Sequence, residues 1–197
     1  MEMRIAIPVF PGVEELDAVG PFEAFGLAKQ AGLPIEVGLV THAAGGKVRG
    51  FHGMEFGGLA PFTSEGEFDV IVVPGGAWIS GEKEGVRLAI EEGILPEILR
   101  RQFERGAVVA SVCTGAFLLE AAGLLAGVRA TTHHLGWEEL RKKGVEVSAD
   151  RVVDAGRILT AGGITSGLDL SLHLIERFFG EGERIARMLE YPWSGPQ

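Results

Sequence analysis

The chain contains a single cysteine, Cys113, among its 197 residues. One thiol cannot form an internal disulfide, so we expect a reducing, cytoplasmic environment. Long apolar runs are also missing: the longest, around Cys113, is interrupted well before the roughly 18 residues that a membrane span requires. No segment at the N-terminus has the order of basic, apolar and small residues that marks a secretory signal. The sequence therefore predicts no membrane partner and a cytoplasmic location.

Basic residues are few. Lys and Arg number 18 against 27 Asp and Glu, which gives a net charge of −9 and a pI near 5.1. Nucleic-acid binding needs clustered cations to neutralise phosphates, so we expect no nucleic-acid partner. Phosphate-binding glycine motifs are absent too, since no stretch has Walker spacing and no G-x-G-x-x-G follows a strand. A small-molecule substrate is the predicted partner.

What the sequence does contain is an alternation of strand-like and helix-like segments. The runs "MRIAIPVF", "DVIVVPGG" and "AVVASV" are short, β-branched and nearly continuously apolar, which is typical of parallel strands buried on both faces. Helix-period segments lie between and after them, with one helix expected to start near Pro21 and another to break at Pro96. The segment "EVSADRVVDAGRILTAGG" predicts an antiparallel edge.

This alternation predicts an α/β sandwich with a mostly parallel sheet, and 46% hydrophobic residues suffice for one core. We see no repeat or linker, so we predict a single domain over residues 1–197. In such a sheet, ligand sites form beyond the carboxyl ends of the strands. The three loops of interest are therefore "PVFPGVEELD", "PGGAW" and "CTG", which begin at Pro8, Pro74 and Cys113.

Cys113 directly follows an apolar strand and begins a turn of small residues, as in a nucleophile elbow. Unpaired N–H groups at the start of a helix favour anions, so we expect this thiol to ionise more readily than a free one. The alternative is a buried structural cysteine.

The other two loops could complete a site around this thiol. The Pro74–Gly76 loop offers backbone amides as oxyanion donors, or it is an ordinary strand-ending turn. Glu14, Glu15 and Asp17 follow the first strand, and we expect at least two of them to be solvated. One buried carboxylate with a raised pKa could shuttle protons.

Four motifs carry a resemblance to a known family: "GVEELDAVGPFE", "DVIVVPGG", "VVASVCTGAFLLEAAGLLAGVRATTHH" and "GRILTAGGITSGLDLSLHLIERFFG". In this order they resemble the DJ-1/PfpI (ThiJ) superfamily. The similarity extends most clearly to its isocyanide hydratase branch and to the amidotransferase-like sensor domains of AraC-type regulators. The resemblance implies a flavodoxin-like three-layer sandwich with a cysteine nucleophile elbow. It also implies a homodimer and no cofactor.

The resemblance also assigns roles to residues. Cys113 is the implied nucleophile, and Asp17 takes the position of the acid that contacts the thiol. The N–H groups of Thr114 and Gly76, beside Gly75, would line an oxyanion pocket. His133 falls where relatives keep a histidine near the thiol, although "TTHHLG" here departs from "TTHW" and leaves the substrate open.

Residues outside the family motifs leave further alternatives. Trp78 either walls an apolar pocket or closes the edge of the core. The adjacent His133 and His134 are expected to point to opposite sides, so we predict no metal site. His173 is expected at a helix surface or core edge.

Three functions remain open at this stage. The first is a hydratase that adds water to an isocyanide through a Cys113 thioimidate, with Asp17 protonating the intermediate and then activating water. The second is a non-catalytic ligand sensor related to the AraC-type domains. The third is a DJ-1-like redox or glyoxal stress protein. A PfpI-type protease is disfavoured, because that group carries His directly after the cysteine and this chain has Thr114.

Overall fold

A computed structural model describes residues 2–78 and 84–195, and its centre is a seven-stranded sheet in the order β10-β11-β7-β6-β1-β2-β5. All neighbouring pairs are parallel except β10–β11. Two smaller pairs, β3–β4 and β8–β9, stand apart from this sheet. The strands are β1 Met3–Pro8, β2 Ile35–Thr41, β3 Val48–Arg49, β4 Glu55–Phe56, β5 Ala60–Pro61, β6 Val70–Val73, β7 Val108–Val112, β8 Arg129–Ala130, β9 Glu146–Val147, β10 Val152–Asp154 and β11 Ile158–Ala161.

Helices cover the sheet in two groups. One group packs α1 against α6 and α7, and the other packs α2, α3 and α4 together. The helices are α1 Glu15–Gln30, α2 Gly85–Glu92, α3 Ile94–Glu104, α4 Ala116–Ala121, α5 Trp137–Lys142, α6 Ser166–Phe179 and α7 Gly182–Met188. The flavodoxin-like sandwich with a mostly parallel sheet is therefore confirmed.

The three predicted buried strands are β1, β6 and β7, and the predicted antiparallel edge is the β10–β11 pair. β6 and β7 are buried along almost their whole length, because helices cover both faces. The carboxyl ends of β1, β6, β7 and β11 lie side by side in the sheet, as the pairing of Val73 with Ser111 and of Val112 with Ala161 shows. Four loops therefore meet at one edge.

Two helix boundaries differ from the sequence prediction. α1 begins at Glu15 and carries Pro21 inside it, so Asp17 lies in its first helical turn and not in a loop. The break in the second helical segment falls at Gly93, not Pro96, because Gly93 adopts φ +70° and ends α2 in a left-handed cap. Pro96 sits in the first turn of α3, where a missing N–H costs nothing.

His173 lies on α6 at the edge of the core, as predicted, with Nε2 2.9 Å from Oδ2 of Asp154. Across residues 2–78 and 84–195, no helix has both the length and the apolar character needed to cross a bilayer.

Candidate active site

Cys113 stands at the junction of β7 and a 3₁₀ turn, Cys113–Gly115. Its φ of +56° is uncommon for a residue with a side chain and costs roughly 1–3 kcal/mol. Hydrogen bonds hold this conformation: the Cys113 N–H donates to the Gly162 carbonyl over 2.8 Å, and the Cys113 carbonyl accepts from the Thr132 hydroxyl over 2.8 Å. The strained turn therefore directs a nearly buried thiol, 6% exposed, toward the neighbouring loops.

Asp17 projects from the first turn of α1 and is completely buried. Its Oδ2 accepts a 3.0 Å hydrogen bond from the Gly75 N–H, while Oδ1 has no hydrogen-bond partner. Burial raises the pKa of this carboxyl to about 8, against the opposing effect of the Gly75 bond, and the charge of Glu14 adds to the rise. Asp17 therefore retains its proton at neutral pH beside the Cys113 thiol, whose interaction with the carboxyl offsets part of the rise.

The pKa of the Cys113 thiol is raised, and the prediction of a readily ionised thiol is wrong. Burial is the main cause, and the charge of Asp17 adds to it. The Thr114 N–H and hydroxyl bond to the sulfur and lower the pKa, but they offset only part of the rise. The thiol therefore keeps its proton in the free protein, and a reaction at this sulfur must remove that proton as the new bond forms.

The Pro74–Gly76 loop packs directly on the turn that carries the thiol. A Cβ on Gly75 would lie 2.4 Å from Thr114 Oγ1, so this position requires glycine. The Gly75 N–H donates to Asp17, and the Gly76 N–H donates to Thr114 Oγ1 over 3.1 Å. In the free protein these two amides thus hold the acid and the threonine side chain in place.

Beyond this loop lies a small cleft of about 120 Å³. Five of the predicted site residues line it: Gly76, Trp78, Cys113, Thr114 and His133. Gly75 and Asp17 do not line the cleft, because they lie behind the thiol. Four further lining residues are not among the predicted site residues, namely Glu14, Phe51, Ala77 and Ile164.

Ile164 could have been found from sequence, because it follows the carboxyl end of β11, the fourth strand end at this edge. Phe51 could not. It lies in the short connection between β3 and β4, where no periodic pattern indicates which side chain turns inward.

Trp78 forms a fixed wall of the cleft. Its ring stacks on Phe117 with centroids 3.9 Å apart, and the Arg87 guanidinium lies 3.8 Å over the ring. The indole N–H donates to Glu139 Oε2 over 3.0 Å. Both predicted roles of Trp78 apply, since the same side chain closes the core and faces the cleft.

His133 is half-buried and also lines the cleft. Nδ1 accepts from the Leu135 N–H over 3.3 Å, so the neutral ring carries its proton on Nε2. Burial lowers the pKa of His133, and His134 lowers it further. The two histidine rings lie 4.5 Å apart, so the prediction that they point to opposite sides is wrong. The reason is the 3₁₀ turn that starts at His134 and ends the extended segment.

The carboxylates that follow β1 are not solvated, contrary to the expectation for at least two of them. Glu15 is buried, and its Oε1 accepts the backbone N–H groups of His52 and Met54 over 2.8 and 3.2 Å. Glu14 is half-buried, with Oε1 3.4 Å from His52 Nε2. Although one oxygen or nitrogen from each of Glu14, Glu15 and His52 lies within 4.8 Å of the others, we assign their contacts to backbone hydrogen bonds and to the Glu14–His52 contact, not to metal ligation.

Comparison with known proteins agrees with this geometry. Residues 3–177 match the DJ-1/PfpI family. An isonitrile hydratase from Pseudomonas putida is 35% identical across the whole chain, which covers 82% of that protein. A THiJ/PfpI family protein from Pseudomonas syringae has a TM-score of 0.85 at 28% identity, over all of this chain and 78% of that one. An AraC family transcriptional regulator from Pseudomonas putida shares the fold, with a TM-score of 0.81 at 16% identity over 95% and 99% of the two chains.

Proposed function

The chain belongs to the DJ-1/PfpI family, and we propose that it is an isocyanide-hydratase-like enzyme that converts R–N≡C into an N-substituted formamide. The observation that carries this proposal is the pairing of the cleft-lining Cys113 thiol with the fully buried Asp17 carboxyl behind it, whose pKa is raised by burial. The likeness to the Pseudomonas putida hydratase along the whole chain supports the same reaction.

The chemistry of an isocyanide suits this pair. Its terminal carbon accepts a nucleophile and a proton at the same atom, so a thiol that has kept its proton brings both. As the Cys113 sulfur bonds to the carbon, Asp17 delivers its proton to that carbon and takes up the thiol proton. The product is the thioimidate Cys–S–CH=N–R, and Asp17 ends the step protonated as it began.

Hydrolysis of the thioimidate completes the reaction. Water adds to the carbon, the C–S bond breaks, and the formamide leaves while the thiol regains a proton. We propose that the Thr114 N–H, which bonds to the sulfur in the free protein, stabilises negative charge at the reacting centre, and that Gly76 fixes Thr114 for this task. His133 Nε2–H and the Trp78 ring bound the space left for the substrate.

A redox role has less support from the same geometry. Oxidation by peroxide requires an accessible thiolate, whereas burial and Asp17 keep this thiol protonated. The test of the proposed function is an activity screen of the purified protein against isocyanides, methylglyoxal and amides. Formamide formation supports the proposal; turnover of methylglyoxal or amides alone would replace it, and binding without turnover would favour a sensor.

Gly163 gives a prediction about the shape of the cleft. A Cβ at this position would lie 2.2 Å from His133 Cδ2 and 3.2 Å from Cys113 Sγ. Gly163→Ala must therefore displace His133 from the thiol. A misplacement of about 1 Å near the reacting atoms can lower the rate about a hundredfold. We therefore expect kcat/KM for an isocyanide to fall by about that factor. The matched control is Gly26→Ala in α1, where a Cβ meets nothing within 4 Å. Equal activity of the two variants would contradict the assigned place of His133.

We also propose that the chain forms a homodimer through the start of α1 and the β3–β4 turn. Leu16 and Met54 are 42% and 49% exposed, and the Met54 N–H donates to Glu15, so the two apolar side chains border the same surface. Exposed apolar side chains that lie together on a surface are candidates for a subunit contact. For the wild type, light scattering after gel filtration is expected to give twice the mass of one chain. For the double variant Leu16→Glu/Met54→Glu, it is expected to give the mass of a single chain. A monomeric wild type would contradict the proposal.

A further inference from the structure

Water addition requires a base that faces the cleft, and Asp17 does not meet this requirement. Its side chain has no exposed surface and lies behind the thiol, with Oδ2 directed to the Gly75 N–H. The expectation that Asp17 also activates water therefore has no geometric support. Among the cleft-lining residues of the described chain, Glu14 is the one that carries a carboxylate.

We propose that Glu14 is a second catalytic residue, the general base that activates water to hydrolyse the Cys113 thioimidate. This inference rests on the proposed hydratase function. It divides the two half-reactions between two carboxyl groups: the buried Asp17 serves thioimidate formation, and the cleft-facing Glu14 serves its hydrolysis. Asp17 acts on the substrate carbon from the side of the sulfur that it adjoins, whereas the attacking water must come from the cleft, which Glu14 lines.

The backbone fixes Glu14 while leaving its carboxylate available. Glu14 is the residue before α1, with extended φ and ψ of −69° and 117°, and its N–H donates to the Gly75 carbonyl over 2.9 Å. A residue at this position often caps the helix with its side chain, but Glu14 makes no such bond. The side chain is 14% exposed and lines the same cleft as the Cys113 thiol.

The surroundings of Glu14 suit a base. His52 Nε2 lies 3.4 Å from Glu14 Oε1 and orients that oxygen. No residue in the described parts of the chain forms a hydrogen bond with the second oxygen, so it is placed to accept one from water. Burial raises the pKa of Glu14, and the charge of Glu15 contributes, while His52 opposes the rise. A carboxylate with a raised pKa is a stronger base, so partial burial improves Glu14 for this task.

Glu14 acts twice in the proposed hydrolysis, first as a base toward water and then as an acid toward nitrogen. Glu14 takes a proton from water as the water oxygen bonds to the thioimidate carbon, and the C=N electron pair moves to nitrogen. Glu14 then passes that proton to the nitrogen, which gives Cys–S–CH(OH)–NHR. The C–S bond breaks with its electron pair on sulfur, and the hydroxyl proton moves to the sulfur. The formamide leaves, and all three side chains return to their initial protonation states.

The test is Glu14→Gln, studied by intact-protein mass spectrometry during turnover of an alkyl isocyanide. Loss of a general base lowers turnover by about 10²–10⁴-fold, and the thioimidate still forms. We therefore expect a protein mass increased by one substrate molecule in this variant, but not in the wild type. Glu14→Asp keeps the carboxylate but sets it back by one methylene. We therefore expect its turnover rate to lie between those of Glu14→Gln and the wild type. The control is Glu183→Gln on α7, whose side chain is 79% exposed.

Each outcome has a defined meaning. Accumulation of the adduct in Glu14→Gln supports the inference. Wild-type turnover in Glu14→Gln overturns it, and so does slow turnover without an adduct, because Glu14 would then act before the thioimidate forms. If the wild type itself forms neither adduct nor formamide, the proposed hydratase function fails. Thermal unfolding of both variants, compared with the wild type, separates a chemical effect from misfolding.

Discussion

Cys113→Ala is expected to abolish isocyanide hydration, with kcat reduced by about 10⁴-fold or more, which is the order found when an enzyme loses its nucleophile. No other thiol can replace it, because the sequence has one cysteine, and the strained turn places this residue in the lining of the cleft. Product formation by proton NMR, with wild type and variant at equal concentration, measures the effect.

The alanine variant should remain folded. Cys113 is small, and its backbone hydrogen bonds to Gly162 and Thr132 do not involve the side chain. Alanine accepts a φ of +56° about as poorly as cysteine does, so the strain is unchanged. A circular dichroism spectrum and an unfolding curve like those of the wild type are therefore expected. Full activity of Cys113→Ala would exclude the thioimidate mechanism.

Asp17→Asn is expected to lower kcat by about 10²–10⁴-fold, the usual contribution of a general acid. Asparagine has nearly the same shape and can still accept the Gly75 N–H, but it cannot deliver a proton to the isocyanide carbon. Asp17 acts in its protonated form and has a pKa of about 8. Wild-type activity should therefore fall as the pH rises through about 8. The variant should lack this alkaline limb.

The same substitution should increase stability at alkaline pH. The pKa of Asp17 is raised from 3.8 to about 8 in the native state, so the native state binds a proton that the unfolded state releases. The stability that this proton contributes to the wild type is thus complete below a pH of 3.8 and is lost progressively as the pH rises through about 8. The asparagine side chain of Asp17→Asn carries no such proton.

Thermal unfolding measured from about pH 5 to about pH 9 tests whether the stability of the wild type falls with pH relative to that of Asp17→Asn. The melting temperature of Asp17→Asn, relative to the wild type, is expected to rise with pH, with a difference of the order of 1 kcal/mol or more in the free energy of unfolding. A variant that is less stable than the wild type by the same amount at every pH would show that Asp17 is ionised in the native protein.

Much of the fold was predictable from sequence because burial on both faces leaves a simple signal. The strands β1, β6 and β7 are short apolar runs that end in proline, glycine or the cysteine, and helical covering follows from their alternation with helix-period segments. The helix ends were less predictable. Pro21 indicates the start of a helix, but the first turn already begins at Glu15, and this places Asp17 on a helix and not in a loop.

The residues of the site were predictable in part, and their electrostatics were not. Cys113, Thr114 and Gly76 come together because the ends of parallel strands share one edge of the sheet. The pKa of the thiol depends on how deeply the turn is buried and on the neighbouring acid, and neither is visible in a strand-to-turn pattern. Likewise, only the tertiary structure separates Glu14, which faces the cleft, from Glu15, which is bonded to backbone amides.

The central claim is that this chain hydrates isocyanides, and the incorporation of solvent oxygen tests it most directly. Purified wild-type protein would be incubated with an alkyl isocyanide in water enriched in oxygen-18, and the products analysed by mass spectrometry. The proposed reaction predicts an N-alkylformamide that carries one solvent oxygen, formed far faster than with Cys113→Ala. Formamide formation no faster than in protein-free buffer would contradict the account.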